Sequence, residues 1–465
     1  MNNFFNINKF NSFIVFLLPI SLISGPAIPD MIVSLSSFLF LFKLLIEKNF
    51  KPLNVGLIIF FFILCLYFFV RSIFTYEYMY SFEYSLFFFR FGFFSLLILY
   101  LIKTEKYFLK NFSIVILLCL LIVSLDAIFQ FSFGFNFLGF TMSEDLSGRG
   151  RISGLFGSEN ILGSYLSRLL PISLGLMIYN FYFLKNFNFL LVFFIVVTNT
   201  AIFLSGERSA FFYCLLTNIT ILFFANKYNF QFLISIIISS IIILFILFYN
   251  DHLKYRYITY TQQQFTSTVL DESEIIDLEK KGVIIPTNLF IFSKEHQQLF
   301  AQALKIFSKN ILFGVGPKIY RIECQNPIYR TKISRVGPTF EEFLAKKRGA
   351  IWEPHDKVLS GCSTHPHNMY LQLLSETGII GTLPIFIFFI YILNIFRVIL
   401  FEKIHKIKKN NILEIDVFIY LSILIAIWPI IPTGNFFNNW LNVINFLCLG
   451  FFLYANEYRK RKIID

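Results

Sequence analysis

Long apolar runs, each closed by a short polar or basic interruption, divide most of the chain, at residues 12–25, 31–47, 53–70, 86–102, 112–133, 161–183, 187–204, 209–225, 230–249, 382–400, 416–431 and 440–455. A helix needs about twenty apolar residues to cross the hydrocarbon core, and fewer where flanking side chains reach back to the interface. The pattern therefore predicts an all-α polytopic membrane protein of about twelve transmembrane helices. The first two runs are short and the second contains Lys43. Residues 250–381 break the pattern as the one long polar stretch, large enough for a small folded domain between helices nine and ten. Three units follow: 1–249 with the first nine helices, 250–381 as a large, mainly helical loop domain, and 382–465 with the last three helices and a basic tail.

Within the loop, residues 293–310 place Leu299, Phe300, Ala303, Ile306 and Phe307 at helical spacing, which predicts an amphipathic helix on the membrane or on other helices. Gly314 and Gly316 mark its end.

Composition agrees with the membrane class: 56% of residues are hydrophobic and only 15% charged, against roughly a quarter in a soluble domain. The 65 phenylalanines carry no function in this reading. A net charge of +12 raises the question of nucleic acid, but the basic residues form short clusters beside apolar runs, such as Lys403 to Lys409 and Arg459 to Lys462. They read as topology signals, and no nucleic-acid partner is expected. The run from Phe13 to Gly25 lacks a small-residue cleavage site, so the first helix is expected to be retained.

Lys and Arg collect in short cytoplasmic loops. With the N-terminus inside, the basic clusters fall inside, and the short outside loops keep only Arg71, Arg149, Arg151 and Arg208. The loop 250–381 then lies outside, with five of the six histidines: His252, His296, His355, His365 and His367. Cys324 and Cys362 are the two cysteines outside, where disulfides are permitted; a bridge and two free thiols are both open readings. The other four cysteines lie in spans as small apolar packers.

The densest chemical signal is STHPHNMYLQLLSETGIIG, residues 363–381. Ser363 or Thr364 can cap a helix, Pro366 suits its first turn and Gly378 ends it. His367 is thereby expected in the first turn, backed by Tyr370, Leu371 and Leu374. A helix N-terminus disfavours a second proton on the ring and attracts anions such as a pyrophosphate, so a neutral His367 can accept a proton from a hydroxyl. The plain alternative is a capping or interface histidine. His365 and His367 flank Pro366 without a nearby Cys or carboxylate set at zinc-like spacing, and the first outside loop offers only Asp30, so no metal site is expected.

His367 and Asn368, nine residues, then Gly378-Ile-Ile-Gly381 resemble the H-N-x9-G-x-x-G signature of the O-antigen ligase and O-antigen polymerase family. Residues 151–171 (RISGLFGSENILGSYLSRLLP), 205–211 (SGERSAF) and 312–317 (LFGVGP) are similar to other stretches of that family, in the same order. The resemblance implies a cofactor-free and metal-independent, inverting glycosyl transfer in the bacterial inner membrane, with the active site on the periplasmic side. The donor would be an undecaprenyl-pyrophosphate-linked glycan and the acceptor a hydroxyl of lipid A-core or another glycan, among membrane lipids. It further implies that His367 activates the acceptor and that Arg208 and Arg151 hold the pyrophosphate; beside these, Arg168, a charge inside a span, and Asn368 are candidate substrate contacts. Guanidinium suits that task, since its planar donors bind phosphate oxygens in pairs and it stays charged in a dry site.

Each of these has a plainer reading: Arg208 as partner of Glu207, Arg151 as a solvated loop charge, and Arg168, inside the sixth span, as partner of Asp126. The family's loop-helix arginine is replaced here by Lys294 and His296 ahead of Phe300. The outside turn PTGNFFNN, 432–439, is a polar turn or a sugar-binding one. Two rival functions remain open, a polymerase joining lipid-linked repeat units and, from another class, a lipid-linked glycan transporter, although no internal repeat of the transporter kind is visible.

Overall fold

The computed structural model describes residues 6–144, 150–224, 228–259, 261–262, 294–329, 362–405 and 414–464. The described residues are helical almost throughout. We number the principal helices α1 (Ile7–Ser24), α2 (Ala27–Ile46), α3 (Gly56–Ile73), α4 (Tyr78–Thr104), α5 (Phe108–Phe133), α6 (Leu162–Phe181), α7 (Phe187–Leu204), α8 (Arg208–Phe224), α9 (Asn229–Tyr249), α10 (Lys294–Lys309), α11 (Met369–His405), α12 (Glu414–Ala426) and α13 (Asn439–Ile464). Nine of those described, α1–α7, α9 and α11, are long and apolar enough to cross a membrane. The shorter apolar α8 and α12, with α13, fall on the other three runs seen in the sequence. A ribbon of two residues per strand, Ser143–Glu144 against Gly150–Arg151, is an addition the helical reading did not contain.

The surface is inverted relative to a soluble protein. Helix α9 turns Ile241, Leu244, Phe245 and Phe248 outward, each more than half exposed. An apolar face that wide is stable against lipid and not against water. Polar residues face inward, where Asn199 of α7 meets Asn218 and Cys214 of α8 and Ser239 of α9. Such groups join helices where the alternative is hydrocarbon. Lys43, the charge inside the second run, is accounted for by bonds to Asn8 Oδ1 (2.6 Å) and the Tyr100 hydroxyl (2.7 Å).

Consecutive spans reverse direction, so one end of the bundle collects the chain after α1, α3, α5, α7, α9 and α12. Side chains knit these turns together. Asp30 accepts from Arg90 (2.6 Å) and from Asn439 Nδ2 (3.0 Å). Asn136 Nδ2 donates to the Gly154 carbonyl, and Ser81 to that of Pro317. Arg71 Nε and Nη2 donate to the carbonyls of Phe313 (3.0 Å) and Gly314 (2.6 Å), which gives that outside arginine a structural task. At this end α10 lies on α11 and buries Leu299, Phe300, Ala303 and Ile306. Of its two expected resting places, α10 takes other helices. Lys409, in one of the basic clusters named above, lies outside the described residues.

Candidate active site

The frame of the site is a crossing of two chain segments. Residues 311–316, leaving α10, run against 375–380 of α11: Val315 N donates to Ser375 O, Gly316 N to Glu376 O, and Ile379 N to Ile311 O, at 2.7 to 2.9 Å. Such proximity excludes side chains. A Cβ on Gly314 would lie 2.4 Å from the backbone of Glu376 and Thr377, and one on Gly378 2.2 Å from the Leu312 carbonyl. Both glycines also have φ near +65°, which L side chains rarely adopt. Gly378 breaks α11 there, so the turns before it form a separate short helix facing the loop.

That short helix starts later than the sequence suggested. Asn368, not Ser363 or Thr364, is its cap: Asn368 Oδ1 accepts from the backbone N–H of Tyr370 and Leu371, both at 3.0 Å, and Nδ2 donates to Pro429 O at 2.7 Å. His367 therefore precedes the helix and has φ +53°, a left-handed conformation uncommon for a histidine. The turn 432–439 enforces this geometry. Thr433 N donates to His367 O (2.8 Å), Thr433 Oγ1 accepts from Met369 N (2.9 Å), and Asn435 Oδ1 and Phe436 N both bond to the Gln372 carboxamide. The amides of that turn thus clamp the start of α11. Asn368, expected to touch substrate, has its side chain committed to the cap and to Pro429.

Three imidazoles meet at this point. The ring of His367 lies 4.1 Å from that of His365 and 5.6 Å, edge-on, from that of His296 on α10. Burial pushes His367 below its ordinary value. His296 is lowered to about 4 by burial, then by His367 and by Arg208, and His365 to about 3 by burial and then by His367. All three rings are neutral at neutral pH, so His367 can accept a proton. Among the described residues no group of three or more His, Cys, Asp or Glu is placed to hold a metal ion.

Arg208 opens α8 and acts electrostatically on His296, which brings it to the same neighbourhood; its Nη1 donates to Thr261 at 3.2 Å. Glu207 turns elsewhere. Its side chain accepts from Gly163 N (2.7 Å), Ser164 N (3.1 Å) and Ser164 Oγ (2.9 Å), closing the N-terminus of α6; burial pushes its carboxyl above the ordinary value, against the pull of Arg151 and these donors. Burial raises the phenol of Tyr257, which Arg256, Arg151 and Arg208 pull down and Glu207 pushes further up. Three guanidiniums thus act electrostatically on one phenol. Arg256 was missed by the sequence reading; nothing in its local sequence separates it from an ordinary loop arginine. Arg168 stands apart, buried on α6 with its guanidinium 5.2 Å from the Tyr213 ring, and Asp126 accepts instead from Phe137 N. Arg149 lies outside the described residues.

Cys324 and Cys362 stand at disulfide distance, with Cα atoms 5.1 Å apart. The link joins the turn after Tyr320–Glu323 to the segment that leads into His365 and His367.

Residues 189–386 match the family model described as O-antigen ligase. Over that stretch the chain is similar to the O-antigen ligase family. The match runs from within α7 into α11, so it includes Arg208, Arg256, His296, the Gly314–Gly378 crossing and the motif from His367 to Gly381. Arg151 and Arg168 precede it. No curated protein matches the chain. The match and the apolar helices together support a multi-pass membrane protein with a glycosyltransferase-like role in polysaccharide assembly.

Proposed function

We propose that this protein moves a glycan from an undecaprenyl-pyrophosphate carrier to a sugar hydroxyl, on lipid A-core or another glycan, at the periplasmic face of the bacterial inner membrane. The observation that carries the proposal is the neutral, clamped His367 beside His296, with Arg208 within electrostatic reach. In this reading a ring nitrogen of His367 takes the proton of the acceptor hydroxyl. The acceptor oxygen bonds to the anomeric carbon as the bond to the diphosphate oxygen breaks, with inversion. The diphosphate departs with the electron pair, and Arg208 and Arg151 hold its charge. Residues 250–381 act as the periplasmic domain between membrane helices 1–249 and 382–465. Asn368 serves by fixing His367, and Arg168 has no assigned contact with the carrier. The reaction needs no metal, so transfer should survive EDTA.

His296 in place of the family's loop arginine favours a second reading, polymerisation, in which the acceptor is itself lipid-linked. Incubating the purified protein with the lipid-linked donor alone separates the two: a polymerase builds a ladder of products, and a ligase builds none until an acceptor is added.

A further inference from the structure

Glu376 lies on the short helix at the start of α11, just before Gly378, and is fully buried. A buried acid is costly unless its oxygens find donors, and here the donors come from separate parts of the chain. Oε1 accepts from Tyr320 N (3.2 Å), and the backbone N–H of Lys318 donates to the same carboxyl. Oε2 accepts from Gln372 Nε2 (3.0 Å), one turn back on the helix. Gln372, also fully buried, is the link to the turn 432–439: Nε2 donates to Asn435 Oδ1 as well (3.1 Å), and Oε1 accepts from Phe436 N (2.9 Å). Within that turn, Thr433 holds the carbonyl of His367 and the N–H of Met369. A chain of bonds thus runs from Lys318 through Glu376 and Gln372 to His367.

A carboxamide has a donor end and an acceptor end. With Glu376 Oε2 and Asn435 Oδ1 both accepting on one side, the Gln372 carboxamide has one workable orientation, the one that offers its oxygen to Phe436 N. Backbone strain marks the same path. Three described non-glycine residues have left-handed φ, and two of them, Lys318 (+67°) and His367 (+53°), stand at the two ends of this chain of bonds. Such conformations persist where their surroundings over-determine them.

We propose that Glu376 is a positioning residue for His367, orienting Gln372 so that the turn 432–439 holds the imidazole in place for the acceptor. The inference rests on the transfer reading above and deepens it: Glu376, fully buried, reaches no substrate and acts through the clamp. In Glu376→Gln the shape is kept, but the new amide N–H faces either Gln372 Nε2 or Tyr320 N, donor against donor. Turning Gln372 to relieve this breaks its bonds to Asn435 and Phe436.

The test uses the full chain in nanodiscs with two readouts. One is glycan transfer from a synthetic undecaprenyl-pyrophosphate donor. The other is the rate at which diethyl pyrocarbonate modifies His367, read by mass spectrometry with the exposed His405 as internal reference. Glu376→Gln should lower kcat about tenfold or more with the donor KM unchanged, as misplacing a catalytic group does, and should speed modification of His367 several-fold. Adding Gln372→Glu restores the 372–376 pair with donor and acceptor exchanged, keeps an acceptor for Phe436 N, and should recover part of kcat. Leu373→Ala, fully buried on the same helix but with its side chain outside the chain of bonds, reports destabilisation alone. It should lower the melting temperature and leave both readouts as in the wild type. If Glu376→Gln does not fold, Gln372→Ala, which cuts the chain of bonds at its middle, carries the test with the same expected changes. Wild-type kcat and modification rate in these variants overturn the inference, as does a fall in kcat with no change at His367. If the variants match a wild type that transfers glycan, the positioning role falls and the transfer reading stands. If modification of His367 speeds up as expected while the wild type transfers nothing, the positioning of the ring stands and the transfer reading falls.

Discussion

The ring of His296 on α10 meets the ring of His367 edge-on, with centroids 5.6 Å apart, across more than 70 residues of sequence. This contact couples the amphipathic loop helix to the motif segment. It also sets a second buried imidazole against the proposed base, and burial disfavours protonation of both rings.

A pH profile follows from that. Burial lowers His367 from 6.5, so kcat/KM should be level above pH 6.5 and fall only below it, as the base is protonated. The same sign governs stability. His296 and His365 are depressed from 6.5 to about 4 and about 3, so their contribution is complete above pH 6.5. It is lost as the pH drops toward those values. Thermal unfolding in nanodiscs between pH 7.5 and 4.5 should show a shallower acid decline for the His296→Gln/His365→Gln variant than for the wild type; parallel declines would contradict the assignment.

The glycine crossing makes a sharper stability prediction. Gly139 and Gly314 both have positive φ, but a Cβ on Gly139 meets nothing within 4 Å. Gly139→Ala should therefore cost only backbone strain, about 1 kcal/mol. Gly314→Ala and Gly378→Ala add a backbone collision and should cost about 3 kcal/mol or more, or prevent folding. Comparable melting temperatures for the three variants would refute the close approach.

For the thiols, a membrane-impermeant maleimide should label Cys324 and Cys362 only after reduction. Labelling of both without reductant would show that the bridge does not form. Reduction should also loosen the segment entering His365, seen as faster proteolysis near residue 362.

Orientation has its own check. A reporter active only in the cytoplasm should give signal when fused after Lys462 and none when fused after Lys281. Signal at Lys281 would move the site to the other face.

The apolar runs announced the membrane helices because hydrocarbon demands continuous apolar length, a property local in sequence. Boundaries moved where polar residues are helical: α4 begins at Tyr78, well before the apolar run at 86, because its serines bond within the bundle. Residues 294–309 were legible as a helix from their periodicity, and His367 and Arg208 from their motifs. What sequence could not show is proximity. That Thr433 and Gln372 lock the start of α11, that Asn368 caps it, and that Arg256 reaches Gly206 are all contacts between segments far apart in the chain. Arg168 shows the opposite error, since a buried charge looked for an acid and the structure gave it an aromatic ring.

The central claim is that His367 removes the acceptor proton while Arg208 holds the departing diphosphate. The direct measurement is glycan transfer from a synthetic undecaprenyl-pyrophosphate donor by purified protein in lipid, comparing wild type, His367→Ala and Arg208→Lys, with donor binding measured alongside. His367→Ala should lose roughly 10²-fold or more in turnover with donor binding nearly unchanged, as expected for a lost general base. Arg208→Lys should weaken binding and turnover together, because it keeps the charge and loses the paired donors. Near-normal turnover in His367→Ala would contradict the account.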